Sequence, residues 1–354
     1  MSTSGLPSVQ SVLLIVNRPA GTGRSAADLD QLRLAFETCF AAIPRRVFQV
    51  ADGHADVLRL TREFLSTQPG PHALLAGGGG GTTRAVINGL LSACAPGTPA
   101  LAAVRVGVLR LGSGNLMARR LGMPADPSAG LRVLAEGLCA GQVQPGWAYR
   151  CTLHLPDGSR QVEHGLALGS LGQFARVPAA VERWKQAHLG LVRWATRLVP
   201  LEVITNVQYG LFSLGRAAAV VLRPSRAEQI EIRQAGRSER LRLLAGVLLK
   251  FDLPQIPVRA VGQFSEPRLT LGLLQLDSRR QLLAVLWHCR DFDGRLRKYV
   301  ITPQAPLDMC YLGPKTVTVA VDEDTLTTAA QRLTWEVVGP LNFITGLAIS
   351  EATA

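Results

Sequence analysis

Residues 74–90 read LLAGGGGGTTRAVINGL. An apolar lead-in runs into five consecutive glycines, 77–81, and then into a segment whose apolar residues recur at helical spacing. Glycine loses more backbone entropy on folding than any other residue, so five together inside a globular chain need a reason. A flexible linker conflicts with the flanks: 72–76 reads as a short buried strand and 83–91 as a helix. A strand, a glycine turn and a helix start let bare backbone N–H groups approach an anion, and the helix N-terminus adds its positive dipole. A plain tight turn is the competing reading of such a run.

The same alternation extends on both sides. Residues 11–17 (SVLLIVN) read as a buried strand, 28–40 as helix, 46–50 as strand, 54–65 as helix, 104–111 as strand, and 115–121 and 127–140 as helices. Repeated β-α-β units predict an α/β domain over 9–145, with a mostly parallel sheet between helical layers. Ligands of such sheets bind at the carboxyl ends of the strands. Three small-residue segments fall there: NRPAGTGR (17–24), GGGGGTT (77–83) and LGSGN (111–115).

After Trp147 the pattern changes. YRCTLHL, RQVEHGLALG, AAAVVLR, QIEIRQ, LRLLAGVLLK, RLTLGLLQL, QLLAVLWHC and TVTVAVD are short apolar runs separated by turn residues. They predict a second domain over 146–350, an antiparallel β-sandwich with one helical insertion near 177–198.

Composition narrows the function classes. The 354 residues suffice for two domains, and 47% hydrophobic against 18% charged residues argues against disorder. No apolar stretch approaches the roughly 20 residues that span a bilayer. The N-terminus, MSTSGLPSVQ, lacks a basic segment followed by an apolar one, so a cytoplasmic location is expected. Six scattered cysteines without a CxxC pair speak against a zinc site or a disulfide framework. The formal charge is +12, and only four of the 38 basic residues are lysine. Dispersed arginines and 5% aromatics disfavour nucleic acid and favour a peripheral membrane surface, at the inner face, over it.

The three loops define the candidate site: Asn17, Gly21, Gly23 and Arg24 from the first, Gly78, Gly79, Gly80, Gly81 and Thr82 from the second, Gly112, Ser113, Gly114 and Asn115 from the third. None ends in the GK[ST] of a Walker loop, and none is a GxGxxG with a following acidic residue.

In order and spacing these segments resemble the diacylglycerol kinase/sphingosine kinase catalytic-domain family of soluble lipid kinases. That family has NPxSG, then GGDGT followed by xNEVxNGL, then PLGTGNDFAR with LGxP close behind. Here NRPAG, GGGGTTRAVINGL and RLGSGNLMARRLGMP stand in the same order. The resemblance implies ATP, with Mg²⁺, as cofactors and transfer of the γ-phosphoryl group to a lipid hydroxyl of diacylglycerol or sphingoid type. It places VAVDEDTL (319–326) at the family's DGE triplet, implying Asp322 as the base for the lipid hydroxyl and Asp324 at the glutamate position. Departures accompany it. Gly80 stands where the family has aspartate, Ala85 where the following helix has glutamate, and Leu116 where an aspartate follows GTGN. Arg18 replaces the proline of the first motif. The metal ligands stay unassigned, because a hard cation needs oxygen ligands that these changes remove. A non-catalytic binding protein and an NAD kinase-like enzyme are the alternatives, and a homodimer stays open.

Weaker candidates are His154, His164 and His288, with no second ligand at metal spacing, and Asp291 and Asp293 of RDFDGR, which read first as a hairpin turn. Trp184, His188 and Trp194 lie on an amphipathic helical stretch, read as core packing or as a lipid contact.

Overall fold

Alternating apolar strands and amphipathic helices fold as their periods dictate. The structure, a computed structural model, describes residues 9–346 apart from 22, 24, 68, 69, 197, 200, 223–227, 254, 255, 257, 276–295, 313–315 and 323. The chain divides into two units, Met1–Gly146 with Gly339–Ala354, and Trp147–Val338.

The first unit opens β1 (Ser11–Asn17), α1 (Ala26–Cys39), β2 (Arg45–Ala51), α2 (His54–Thr67), β3 (His72–Gly78) and α3 (Gly80–Ala93). It continues with α4 (Pro99–Ala102), β4 (Arg105–Arg110), α5 (Leu116–Arg120) and α6 (Pro127–Cys139). β1 pairs in parallel with β2 and β3, and β3 in parallel with β4. Every residue of β1 and β3 is buried, as a sheet covered on both faces requires. Ser25 caps α1 in a reciprocal capping box with Asp28.

The second unit begins within β5 (Val143–His154) and continues with β6 (Arg160–Gly165) and β7 (Leu168–Gly172). Three helices follow: α7 (Val177–Ala187), α8 (Leu189–Ala195) and α9 (Leu201–Leu222). Then come β8 (Glu228–Gln234), β9 (Arg237–Leu249), β10 (Leu269–Gln275), β11 (Arg297–Ile301), β12 (Leu307–Tyr311), β13 (Val317–Val321), β14 (Asp324–Thr328) and β15 (Arg332–Ile344). The order β14-β13-β7-β9-β8-β12-β15 is antiparallel at each pair within this unit. β9 is long enough to serve two neighbourhoods. Its first half pairs with β8, and from Leu243 it runs between β7 and β10. Inward residues of these strands make one core around Trp335 and Tyr149, whose ring centroids lie 5.9 Å apart.

Three expectations change. The second domain does not reach residue 350. Gly339 onward belongs to the first unit, where Asn342 and Phe343 extend the parallel sheet beside Arg105 and Val106 of β4. The run AAAVVLR is not a strand, because α9 continues to Leu222 on the strength of its alanines. The helical insertion is therefore longer than 177–198. QLLAVLWHC, with His288, and Asp291 and Asp293 lie outside the described residues.

Candidate functional site

The carboxyl ends of β1, β3 and β4 carry the three small-residue loops, and close approach of bare backbone joins them. At Gly21, with φ +71°, an added Cβ lies 2.9 Å from the Leu111 carbonyl oxygen, so the first loop abuts the third. At Gly112 a Cβ would strike Gly79 Cα and N, so the third loop abuts the second. Gly78 and Thr82 are as tightly apposed, and a Cβ on Gly77 would press on the Ile15 carbonyl oxygen at 3.1 Å. These contacts explain glycine at 21, 77, 78 and 112 without reference to a ligand. They also bring three sets of backbone amides to one place, which is what binds phosphate.

α3 starts inside the glycine run, three residues before its expected beginning at Thr83. Gly79 is its N-cap and offers no side-chain acceptor, and Gly80 is its first helical residue. Its first-turn N–H groups therefore have no cap from the chain's own N-cap residue, and the 14-residue helix presents its dipole at that end. Gly79 and Gly80 are half-buried, Gly81 and Thr82 buried. Asn17 is 5% exposed; its Nδ2 donates to Thr82 Oγ1 at 3.0 Å, whereas its Oδ1 has no hydrogen-bond partner. A buried orphan acceptor between two glycine loops is a polar position awaiting a donor. Asn115 closes the third loop: at φ +50° it accepts from Gly112 N at 2.9 Å and donates to Gly112 O at 2.7 Å. Ser113 and Gly114 are half-buried in that loop, and Gly23 adopts φ +85° in the first. Arg24 lies outside the described residues.

Two neighbours were not singled out from the sequence. A Cβ on Gly81 would run into the His54 imidazole, so this exposed histidine at the start of α2 packs on bare backbone at the start of α3. Arg84 is buried within α3. No spacing signal marked either one.

The arrangement suits the phosphates of a nucleotide and does not suit Mg²⁺. Among the described residues no group of three or more His, Cys, Asp or Glu side chains is placed to hold a metal ion. The three positions that carry carboxylates in the resembling family are glycine, alanine and leucine here. Asp52, just after β2, pairs with Arg18 at 3.3 Å, and Asp56 with Arg59 at 3.2 Å. A hard cation holding on to triphosphate oxygens needs carboxylates or ordered waters held by them.

Asp322 lies in the second unit, at the turn between β13 and β14. It is buried and has φ +51°. Its Oδ2 accepts from Leu166 N at 2.9 Å, and its Oδ1 accepts from Ala167 N at 3.0 Å and Leu168 N at 3.1 Å. The main chain answers, with Asp322 N donating to Leu168 O at 2.7 Å. The Tyr149 hydroxyl donates to the same Leu168 carbonyl at 2.6 Å. Asp322 thus stands at a turn with its carboxylate sequestered among backbone amides. Asp324 is half-buried and faces Val321 across the hairpin.

His154 and His164 have packing roles. His154 Nε2 bonds Thr334 Oγ1 at 3.0 Å, and burial with nearby Arg332 and Arg160 pushes its pKa down. His164 is buried in β6. The Trp184 and His188 rings stack 4.8 Å apart, while Trp194 is exposed.

Comparison with known proteins agrees with this geometry. The family model described as "Diacylglycerol kinase catalytic domain" matches residues 11–145. A Chromohalobacter salexigens protein named "Probable lipid kinase YegS-like" is 40% identical over 81 residues, which are 23% of this chain and 24% of that protein. The match thus spans about a quarter of that relative's length. A crystal structure of a diacylglycerol kinase from Bacillus anthracis str. Sterne superposes with a TM-score of 0.57 at 14% identity, over 95% of this chain and 97% of that one. Yeast NADH kinase complexed with NADH superposes at 0.53 and 11% identity, over 96% and 84%. At these identities the structural matches show a shared fold. Residues 11–145 thus match a diacylglycerol kinase catalytic domain, and the three ordered glycine loops lie within that stretch.

Proposed function

We propose that the chain is a lipid kinase that grips the phosphates of ATP through backbone amides at the start of α3, and passes the γ-phosphoryl group slowly to a lipid hydroxyl. The contact of the three glycine loops carries the reading, because it assembles donors for several phosphate oxygens at a helix N-terminus. Asn17 Oδ1 adds an acceptor for a ligand donor. Asp322, its carboxylate oriented by three amides, takes the hydroxyl proton, with Asp324 beside the same turn. Mg²⁺ has no carboxylate set at the loops, so ATP binding gains little from it.

The test is calorimetric titration with ATP, with and without magnesium, alongside labelled-ATP turnover on diacylglycerol and sphingosine in mixed micelles. The expected result is ATP binding insensitive to magnesium, with slow formation of a phospholipid product. Absence of ATP binding, or brisk magnesium-dependent turnover, overturns it. The engagement of both Asp322 oxygens by main-chain amides favours a second reading, a nucleotide-binding protein without transfer. It is distinguished by ATP binding with no lipid product.

A further inference from the structure

Lysine is rare in this chain, with four residues among 38 basic ones, and Lys250 is 0% exposed. It follows the last residue of β9, where Leu249 pairs with Leu168 of β7 and Thr270 of β10. Its Nζ donates to the main-chain carbonyls of Gln263 and Arg268, both at 3.0 Å, and to that of Glu266. An ammonium has three N–H donors, so three carbonyls satisfy it fully. Among the described residues Lys250 makes no ion pair, and the Glu266 carboxylate accepts from Gln263 N at 3.4 Å instead. Burial, opposed by the attraction of Glu266, pushes the Lys250 pKa down to about 8, which leaves the amine protonated at neutral pH.

Carbonyl oxygens carry like partial charges. Three of them, from residues 263–268, turned onto one point form the kind of cage that replaces a cation's water shell. The 3.0 Å spacing suits an ammonium or a large monovalent ion, since oxygen ligands of Mg²⁺ and Ca²⁺ stand at about 2.0–2.6 Å. The chain's preference for arginine sharpens the point. A guanidinium is planar and its five donors diverge, whereas an ammonium is a compact point charge that fits a converging cage.

The cage holds a segment with few other ties. Residues 258–268 form neither helix nor strand. Ala260 N bonds Asp252 Oδ1 at 2.6 Å, Val261 N bonds Thr270 Oγ1 at 2.7 Å, and Trp147 N bonds Phe264 O at 3.3 Å. On its other side Lys250 N donates to Ala167 O at 3.0 Å, and Ala167 N donates to Asp322 Oδ1 at 3.0 Å. One residue thus separates the cage from the amides that hold Asp322.

We propose that the carbonyls of Gln263, Glu266 and Arg268 form a monovalent-cation site that the chain fills with its own Lys250 ammonium, fastening 258–268 to the peptide run beside Asp322. The site goes beyond the nucleotide reading. It is measured without ATP or lipid, so the two fail separately.

The experiment uses the full chain. Lys250→Ala removes the tethered charge and leaves room for a free ion. In choline chloride its Tm should fall by about 5–10 °C, from loss of hydrogen bonds to a charged donor. Potassium or ammonium chloride at the same concentration should return about half of that fall by binding the folded state. The parent should melt alike in all three salts. Lys250→Met and Lys250→Arg, which fill the space without a point charge, should melt low in every salt. Hydrogen exchange at 166–168 and 260–268 should quicken in Lys250→Ala and slow again with potassium. Equal melts of Lys250→Ala in the three salts overturn the proposal, as does a Lys250→Met variant as stable as the parent. The parent gives a check that needs no variant to fold: nitrogen-15 spectra should show a lysine ammonium whose three hydrogens exchange slowly with water, and absence of any such group at neutral pH overturns the proposal too.

Discussion

Replacing Gly80 with aspartate tests the site most directly. Gly80 is the first residue of α3, in helical backbone that any residue adopts. Gly80→Asp removes a helical glycine, a gain of about 0.5–1 kcal/mol. It also puts a negative charge in the first turn, where the dipole contributes about 0.3–1 kcal/mol. The ligand-free variant should therefore be more stable by about 1 kcal/mol, a rise in Tm of about 2 °C. Against ATP the sign reverses. Two like charges about 4 Å apart cost about 1 kcal/mol in water and about 4 kcal/mol near a protein surface. Since Gly80 is only half-buried, metal-free ATP should bind about ten- to a hundredfold more weakly. Magnesium should recover most of that loss, because the new carboxylate and the phosphates together ligate it. Recovery of turnover should be partial, since Ala85 and Leu116 still lack carboxylates and residues acting as a unit are not additive. Calorimetry with and without magnesium reads the affinities, and a thermal melt reads stability. A folded variant whose ATP affinity is the same as the parent's in both conditions would falsify the placement of phosphates at α3.

Gly112→Ala should lower both Tm and ATP affinity, by about 1–3 kcal/mol of stability for an overpacked backbone contact, since the new Cβ meets Gly79 main chain; an unperturbed melt counts against the loop contact. Asp322→Asn turns an amide NH₂ toward backbone N–H donors and should destabilise by about 1–3 kcal/mol, with loss of turnover but unchanged ATP affinity; full turnover in a folded variant removes the base role. His72, whose Nδ1 lies 2.8 Å from Ser11 Oγ, has its pKa lowered by burial. Below the ordinary value of 6.5 the unfolded chain binds a proton that the folded chain resists, so stability falls as pH drops through that value toward 5. Urea midpoints at pH 7.5 and 5.5 should differ less in His72→Gln than in the parent, and an equal difference assigns the acid sensitivity elsewhere.

The parallel half of the fold was readable because its signals are local. A fully buried strand such as 11–17 is a continuous apolar run, and the helix after it shows its own period and cap within 14 residues. The loops at the carboxyl ends follow from that alternation, so the place of the three glycine loops was readable as well. What escaped depends on contacts distant in sequence. Asp322 is sequestered by amides at 166–168, about 155 residues away, and no turn motif announces that. β15 pairs antiparallel with β12 and then parallel with β4, so its 13 residues show neither one alternation nor one period. The alanines of AAAVVLR are read correctly only once α9 is seen to precede them. The glycine run itself divides by cause. Gly77, Gly78 and Gly81 each face an atom that a side chain would strike, and Gly79 receives the backbone of Gly112. Gly77 and the Gly79–Gly112 contact answer to neighbouring main chain, whereas Gly78 and Gly81 face side chains, those of Thr82 and His54. Gly80, in helical backbone at the start of α3, stands where the resembling family has aspartate, so its identity bears on the charge offered to a phosphate and a metal.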